Sequence, residues 1–338
     1  MSKKAVPSEI ARTKPDRVVY DPTHGTDRLW DDPEFYWLNE HIHVLQTPDK
    51  ALLATWTAER LNPHDQRVAF SRSEDGGRSW SPATVIDGTG LGEGQGAAWQ
   101  VPIVGPTGRL YLFYTYGNTD WYPGGFRWRV SDDAGRSWSK PVDLPFPRSA
   151  IDDPNPDTRP HWIACSPGLL DLNGRPLIAY THWASNPAVP AGKVSVKELY
   201  SHVELMRLDN LADAPDPQDI EITWLNTEQP VTVPHATVAG ASFAQEPYMV
   251  RLPDERLFMV ARTNRGEIWY TLSENDGLSW RPPEVLRSCD GGPKIEQPAS
   301  PCPIFALQRG DFMLLYNNNN GFVFGADQVW HGNNRRPA

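Results

Sequence analysis

Five times along the chain an apolar segment meets a short polar turn and is followed by a second apolar segment: HIHVLQTPDKALLATW, QVPIVGPTGRLYLFYTY, CSPGLLDLNGRPLIAYTHW, EPYMVRLPDERLFMVART and SPCPIFALQRGDFMLLYNN. Apolar runs of strand length joined by turn residues read as antiparallel hairpins. Their turns, anchored at Asp49, Thr107, Asn173, Asp254 and Arg309, recur at intervals of roughly 55 to 80 residues, too wide for the evenly spaced strands of a sandwich and suited to four-stranded units set around an axis. The pattern predicts an all-β propeller.

A second repeat interleaves with the first. SEDGGRSW at 73–80, SDDAGRSW at 131–138 and SENDGLSW at 273–280 share the pattern S-x-(D/N)-x-G-x-x-W, and β-rich segments (RVAFSRS, FRWRVS, EIWYTLS) lead into them. The Asp or Asn side chain bonds backbone amides of a tight turn, Gly takes a positive φ, and the Trp ring packs back beneath the hairpin. Together the repeats set expected blade limits near 37–90, 95–148, 159–235, 240–296 and 298 onward. The third unit is long, with a loop-like stretch over 184–222 and no such turn; the fifth is short. Residues 1–36 form an N-terminal segment able to supply one outer strand through Arg17–Tyr20, and 37–338 the propeller domain.

Composition agrees and narrows the partners. The 338 residues include 33 Pro, 26 Gly and 14 Trp, an excess that cuts the chain into short segments without long helical periodicity. A formal charge of -10 with no basic run argues against nucleic acid, and no apolar run reaches the length of a membrane helix. Basic residues at the start are not followed by an apolar stretch, so a cytoplasmic location is expected from the sequence as it stands. Cys165, Cys289 and Cys302 lack metal-site or disulfide spacing and read as reduced, buried small residues. With no HExxH, GxGxxG, P-loop or EF-hand pattern, neither cofactor nor metal is expected.

The S-x-D-x-G-x-x-W turn resembles the Asp-box of the sialidase (neuraminidase) superfamily, and residues 37–338 are similar to predicted bacterial neuraminidases with BNR repeats. The resemblance implies a six-bladed propeller, its last blade incomplete here, with an axial site in which three arginines hold a sugar carboxylate, a Tyr nucleophile is assisted by Glu, and Asp acts as acid/base. HIHVL at 41–45 stands where the first arginine is implied, with His in its place. LLATWTAER resembles the strand that brings Glu59 and Arg60 near the funnel, and Asp65 matches the acid/base Asp. FAQEP at 243–247 with MVAR at 259–262 resembles the segment carrying the catalytic Glu and the second arginine, assigning these roles to Glu246 and Arg262. NNRR at 333–336 resembles the stretch with the third arginine, Arg336. No Tyr nucleophile carries over; Tyr248, two positions beyond Glu246, is a substitute or a core residue.

The hairpins allow a reading independent of that resemblance. Eight positions before each turn anchor stand His41, Trp99, Cys165, Glu246 and Pro301, one rung of the inner strand in five units. His43 alternates with His41 and shares its side. Trp56 and Gln100 complete the expected substrate-binding set with Arg262 and Arg336. Three functions remain open: an exo-glycosidase pairing Glu246 with Asp65 or Glu59, a polysaccharide lyase with His41 or His43 as base, and a carbohydrate-binding propeller without turnover. The expected partner in each is a glycan, with oligomeric state undetermined.

Overall fold

The computed structural model of the chain describes residues 17–20, 29, 37–61, 64–91, 94–118, 124–186, 200–321, 323–324 and 330–331. Strands β1 (Trp37–Gln46), β2 (Leu52–Leu61), β3 (His64–Ser73) and β4 (Thr84–Gly88) pair in chain order as the first antiparallel sheet. β5 (Gly96–Val104), β6 (Leu110–Asn118), β7 (Gly125–Ser131) and β8 (Val142–Leu144) form the second. In the third, the innermost strand is split into β9 (His161–Ile163) and β10 (Leu169–Leu170), both pairing β11 (Pro176–Trp183), followed by β12 (Ser201–Leu208) and β13 (Ile222–Leu225). β14 (Gln245–Arg251), β15 (Leu257–Arg262), β16 (Trp269–Ser273) and β17 (Glu284–Val285) make the fourth.

The arrangement is all-β and propeller-like, but four full blades rather than six form among the described residues. After these blades the described residues form two-stranded sheets, β18 (Ile304–Ala306) with β19 (Phe312–Leu314) and β20 (Val323–Phe324) with β21 (Trp330–His331). The fifth hairpin is followed by Asn317–Asn320 instead of the β-branched and aromatic residues that led into outer strands elsewhere. Arg17–Tyr20 is not a strand either. Tyr20 stacks on Trp56 at 5.3 Å, and with Leu29 it covers the face of blade one turned away from blade two. No helix among the described residues is long and apolar enough to cross a membrane.

A twisted four-stranded sheet has two apolar faces and buries each only against a neighbour. Leu53, Val68 and Phe70 of blade one meet Leu110, Leu112 and Tyr114 of blade two. Phe113, Phe126 and Trp128 meet Trp162, Ile178, Tyr180 and Met206 of blade three. Leu177, Val203 and Leu205 then meet Leu257 and Met259 of blade four, and Val250, Val260 and Ile268 meet Cys302 and Ile304. Cys165 and Cys302 are buried as expected, whereas Cys289 is exposed; all three are free thiols.

The repeated turns sit at one end of the blades, at the β3–β4, β7–β8 and β16–β17 connections. In the second, Asp133 Oδ1 accepts the amides of Arg136 (3.0 Å) and Ser137 (2.8 Å) and the Ser131 hydroxyl (2.7 Å), while Oδ2 accepts the Ser137 hydroxyl (2.5 Å). These donors outweigh partial burial and hold the carboxyl down at about 2. Asn275 keeps the Ser279 amide bond (2.9 Å) and turns its own Nδ2 to the Ser279 hydroxyl (2.8 Å). The turn glycines also let blades touch. A Cβ on Gly277, at φ +84°, would stand 2.7 Å from Cδ2 of Leu205, fully buried in the preceding blade, whereas Gly174, at φ +80°, has nothing within 4 Å.

Gly174→Ala is expected to lose about 1–2 kcal/mol for its left-handed backbone alone, and Gly277→Ala a further ~1–3 kcal/mol because the methyl overpacks a sealed core. Urea unfolding of the two variants checks this; equal losses would show that the turn does not seal the blades.

Candidate functional site

The opposite end of the blades is organised by a break in strand pairing that recurs at one rung. In β1 pairing passes from Glu40↔Thr57 to His43↔Thr55, in β5 from Ala98↔Thr115 to Val101↔Phe113, and in β14 from Gln245↔Arg262 to Tyr248↔Val260. Each break is a β-bulge with two inner residues facing one. The first residue of each bulge is left-handed without being glycine: His41 (φ 53°), Trp99 (φ 53°) and Glu246 (φ 45°). Such a conformation costs roughly 1–2 kcal/mol and persists where surrounding contacts over-determine it. Those contacts come from the neighbouring blade. Thr57 Oγ1 accepts the Trp99 amide at 2.9 Å, and Thr181 Oγ1 accepts the Glu246 amide at 2.7 Å. Counted from the hairpin turns, Thr57, Thr115 and Thr181 share a rung of the second strand, and in blade four that rung holds Arg262.

Glu246 is 7% exposed. Nη1 of Arg262 donates to its Oε1 at 3.0 Å, while Oε2 is buried without a hydrogen-bond partner among the described residues. Tyr248 Oη donates to the carbonyl oxygen of Cys165 at 3.3 Å. Burial first, then the nearby Cys165 and Glu246, pushes the Tyr248 phenol above its ordinary range, which makes ionisation of its hydroxyl harder than for a free tyrosine. The Cys165 thiol is pushed well up by burial and then by Glu246, and Cys302 for the same reasons to about 12, so neither supplies a thiolate.

The remaining expected residues divide by location. His41 lies edge-on to Trp99, ring centres 6.0 Å apart, which brings two bulge residues of adjacent blades together. His43 is buried, its Nε2 has no partner among the described residues, and burial followed by His41 lowers its pKa to about 4. Glu59 is 1% exposed and faces Gln66 across the β2–β3 pair; burial raises its pKa to about 7 against the opposing hydrogen bond from Gln66. Asp65 pairs with Arg60, directly opposite it at the mouth of the same hairpin.

Gln100 lies fully buried between blades one and two. Its Nε2 donates to the His41 carbonyl (2.7 Å), and its Oε1 accepts the Thr57 hydroxyl (2.8 Å). Both ends of the amide are therefore spent on holding the first bulge. Trp56 points the other way, into the core with Tyr20, Leu29 and Ala58. Neither presents a polar atom or ring face to a ligand. Arg336 lies outside the described residues.

Two features escaped the sequence. The threonine rung has no distinctive spacing of its own. A buried polar cluster of Asp152, Tyr180, His182, His202 and Glu204 in blade three left one faint signal, polar residues alternating with period two in the otherwise apolar strands YTHW and HVEL. Among the described residues, His182, His202 and Glu204 form the group of side chains placed to hold a metal ion.

Residues 49–337 match the family described as BNR repeat-like domain. Among solved structures the chain is similar to the Hadza microbial sialidase Hz136, at 17% identity and a TM-score of 0.56 over 83% of this chain and 54% of that one. It is similar to the NanB sialidase from Streptococcus pneumoniae at 13% identity, with a TM-score of 0.58 over 97% of this chain and 65% of that one. The leech intramolecular trans-sialidase gives 14% identity and a TM-score of 0.58 over 94% and 60%. At such identities the likeness is one of fold, and this chain spans between 54% and 65% of those three structures' length. No curated protein matches it.

The two shifted groups oppose each other in pH. Glu59, raised from 4.5 to about 7, favours the folded state below its unfolded pKa and loses that contribution as pH rises through about 7. His43, lowered from 6.5 to about 4, makes the unfolded chain the better proton acceptor, so stability falls as pH drops from 6.5 towards about 4. Glu59→Gln is expected to be more stable than the parent at about pH 8 by on the order of 2–3 kcal/mol, with the gap closing towards about pH 4.5. Denaturant midpoints across pH measure it; a gap that does not vary with pH would remove the buried carboxyl from the account.

Proposed function

This chain belongs to the family of BNR repeat-like domains and carries the sialidase-type fold, and from that premise we propose that it is an exo-acting glycosidase working on a terminal sugar of a glycan, with Glu246 at the centre of its chemistry. The observation that carries the reading is the buried Oε2 of Glu246, unpartnered among the described residues, on a strained bulge. An unsatisfied buried carboxylate oxygen is costly, and it is tolerated where a substrate or water completes it.

Arg262 takes one oxygen of Glu246 and fixes the plane of the carboxylate, leaving the other free to move a proton. Glu59, its pKa near neutrality, is the second carboxyl of the pair: it holds the proton for the leaving oxygen while Glu246 serves the attacking side. Asp65 is the weaker candidate for that role because Arg60 already neutralises it. Elimination by a histidine base draws less support, since the lowered pKa of the His43 ring makes it a weak base.

Arg262 is engaged by Glu246, and His41 stands where the sialidase resemblance implies the first carboxylate-binding arginine. Imidazole cannot reproduce the bidentate grip of a guanidinium, so ordinary sialosides are expected to be poor substrates beside neutral or weakly acidic terminal sugars.

Reducing-sugar release from a panel of oligosaccharides is the assay. Glu246→Gln, which keeps size while removing the charge, should lower turnover on the order of a hundredfold or more. Undiminished release by that variant would sink the assignment. An unsaturated, ultraviolet-absorbing product that depends on His41 would replace hydrolysis with elimination.

A further inference from the structure

The middle strands of blade three carry a polar cluster that the proposed chemistry leaves unused. Tyr180 and His182 of β11 lie directly opposite Glu204 and His202 of β12, and alternate residues of a strand share a face, so all four point into the interface with blade two. Nδ1 of His182 is 3.2 Å from Oε2 of Glu204, and Nε2 of His202 is 3.0 Å from Oε1 of the same carboxylate. The Tyr180 hydroxyl donates to Oε2 at 2.6 Å. The far nitrogen of His182, Nε2, is 3.0 Å from Oδ1 of Asp152, in the segment joining blades two and three. Each of the five side chains is buried.

Two features of this cluster suit a divalent ion. One ligand atom from each of His182, His202 and Glu204 can be chosen so that all lie within 4.8 Å of one another, and each imidazole stands beside one oxygen of the Glu204 carboxylate, His202 at 3.0 Å from Oε1 and His182 at 3.2 Å from Oε2, against an edge of ~3.3 Å in a tetrahedron with zinc-like bonds of about 2.0 Å. The contact from His182 to Asp152 is the carboxylate–histidine arrangement that fixes the tautomer and orientation of a metal-binding imidazole.

We propose that His182, His202 and Glu204 bind a structural zinc ion between blades two and three, with Asp152 as the outer carboxylate and water or the Tyr180 oxygen completing the shell. The ion would tie both middle strands to the connecting segment, whose Ile151 carbonyl already accepts the amides of Ser185 (3.0 Å) and Asn186 (2.9 Å) just beyond β11. The site is independent of the glycosidase reading and stands or falls without it.

The test uses the full chain carrying Cys289→Ser, which removes the exposed thiol as a competing ligand. Protein stripped with chelator is equilibrated with zinc or cobalt, freed of excess, and followed by elemental analysis, visible absorption and thermal unfolding. About one equivalent of zinc should remain, Tm should rise, and cobalt should show the visible bands of a four-coordinate nitrogen–oxygen site. His202→Gln and Glu204→Gln should lose the metal, and Asp152→Asn should hold it roughly 10- to 100-fold more weakly. Absence of bound metal with an unchanged Tm would overturn the proposal, as would zinc retained equally by His202→Gln. Should those variants fail to fold, the stoichiometry and cobalt spectrum of the parent decide the matter.

Discussion

At one rung of the inner strands, three side chains are turned out of regular pairing, and each stays there because the adjacent blade or strand holds its backbone. The Trp99 and Glu246 amides are fixed by threonines of the preceding blade, and the His41 carbonyl by Gln100 of the following one. A left-handed non-glycine residue has no local reason to persist. Blade packing and axial geometry are therefore one device: pulling two blades apart would release the bulge between them and let the side chain fall back into the ladder.

This dependence explains why the interfaces carry polar bonds at all. Aliphatic and aromatic packing alone buries the faces of the blades, as Leu177, Leu205, Leu257 and Met259 do, but it does not specify register. Gln100 bridging to Thr57, and Gln245 donating to Ser201 at 3.1 Å, are buried, directional and single-valued. A slip by one residue would strand them without partners, which hydrophobic contact would tolerate more readily. At the threonine rung of blade four an arginine bonds inside its own blade, to Glu246, as Thr115 of blade two does to the Ala98 carbonyl, whereas Thr57 and Thr181 bond across to the following blade.

What could be read from the sequence follows from how local each feature is. The hairpins and the S-x-D-x-G-x-x-W turns are contiguous and revealed the blades, because turn chemistry is written within a few residues. The rung of His41, Trp99 and Glu246 was legible by counting back from the turns, since every bulge carries the same extra residue and the count survives. The direction of Trp56 was not. Propeller strands are apolar on both faces, so alternation does not say which face meets blade two and which meets Tyr20. The role of Gln100 depends on a blade about 40 residues away in sequence, and the cluster around Glu204 needs the pairing of β11 with β12 across a long connection. Blade number differs for another reason: resemblance supplied six, while four full blades form among the described residues, with the short pairs β18–β19 and β20–β21 after them.

The two ends of the propeller are joined by different forces. At the turn end, Arg136 reaches Asp49 of the neighbouring blade at 2.8 Å and Glu74 at 3.3 Å, and Arg109 reaches Asp216 at 2.7 Å, through largely exposed carboxylates. At the axis the joints are neutral and sealed from water. Mobile ions screen exposed charges over about 8 Å at physiological ionic strength and act far less on buried dipoles. Concentrated salt should therefore loosen the exposed ion pairs along the rim of turns and leave the neutral joints of the strained floor as they are.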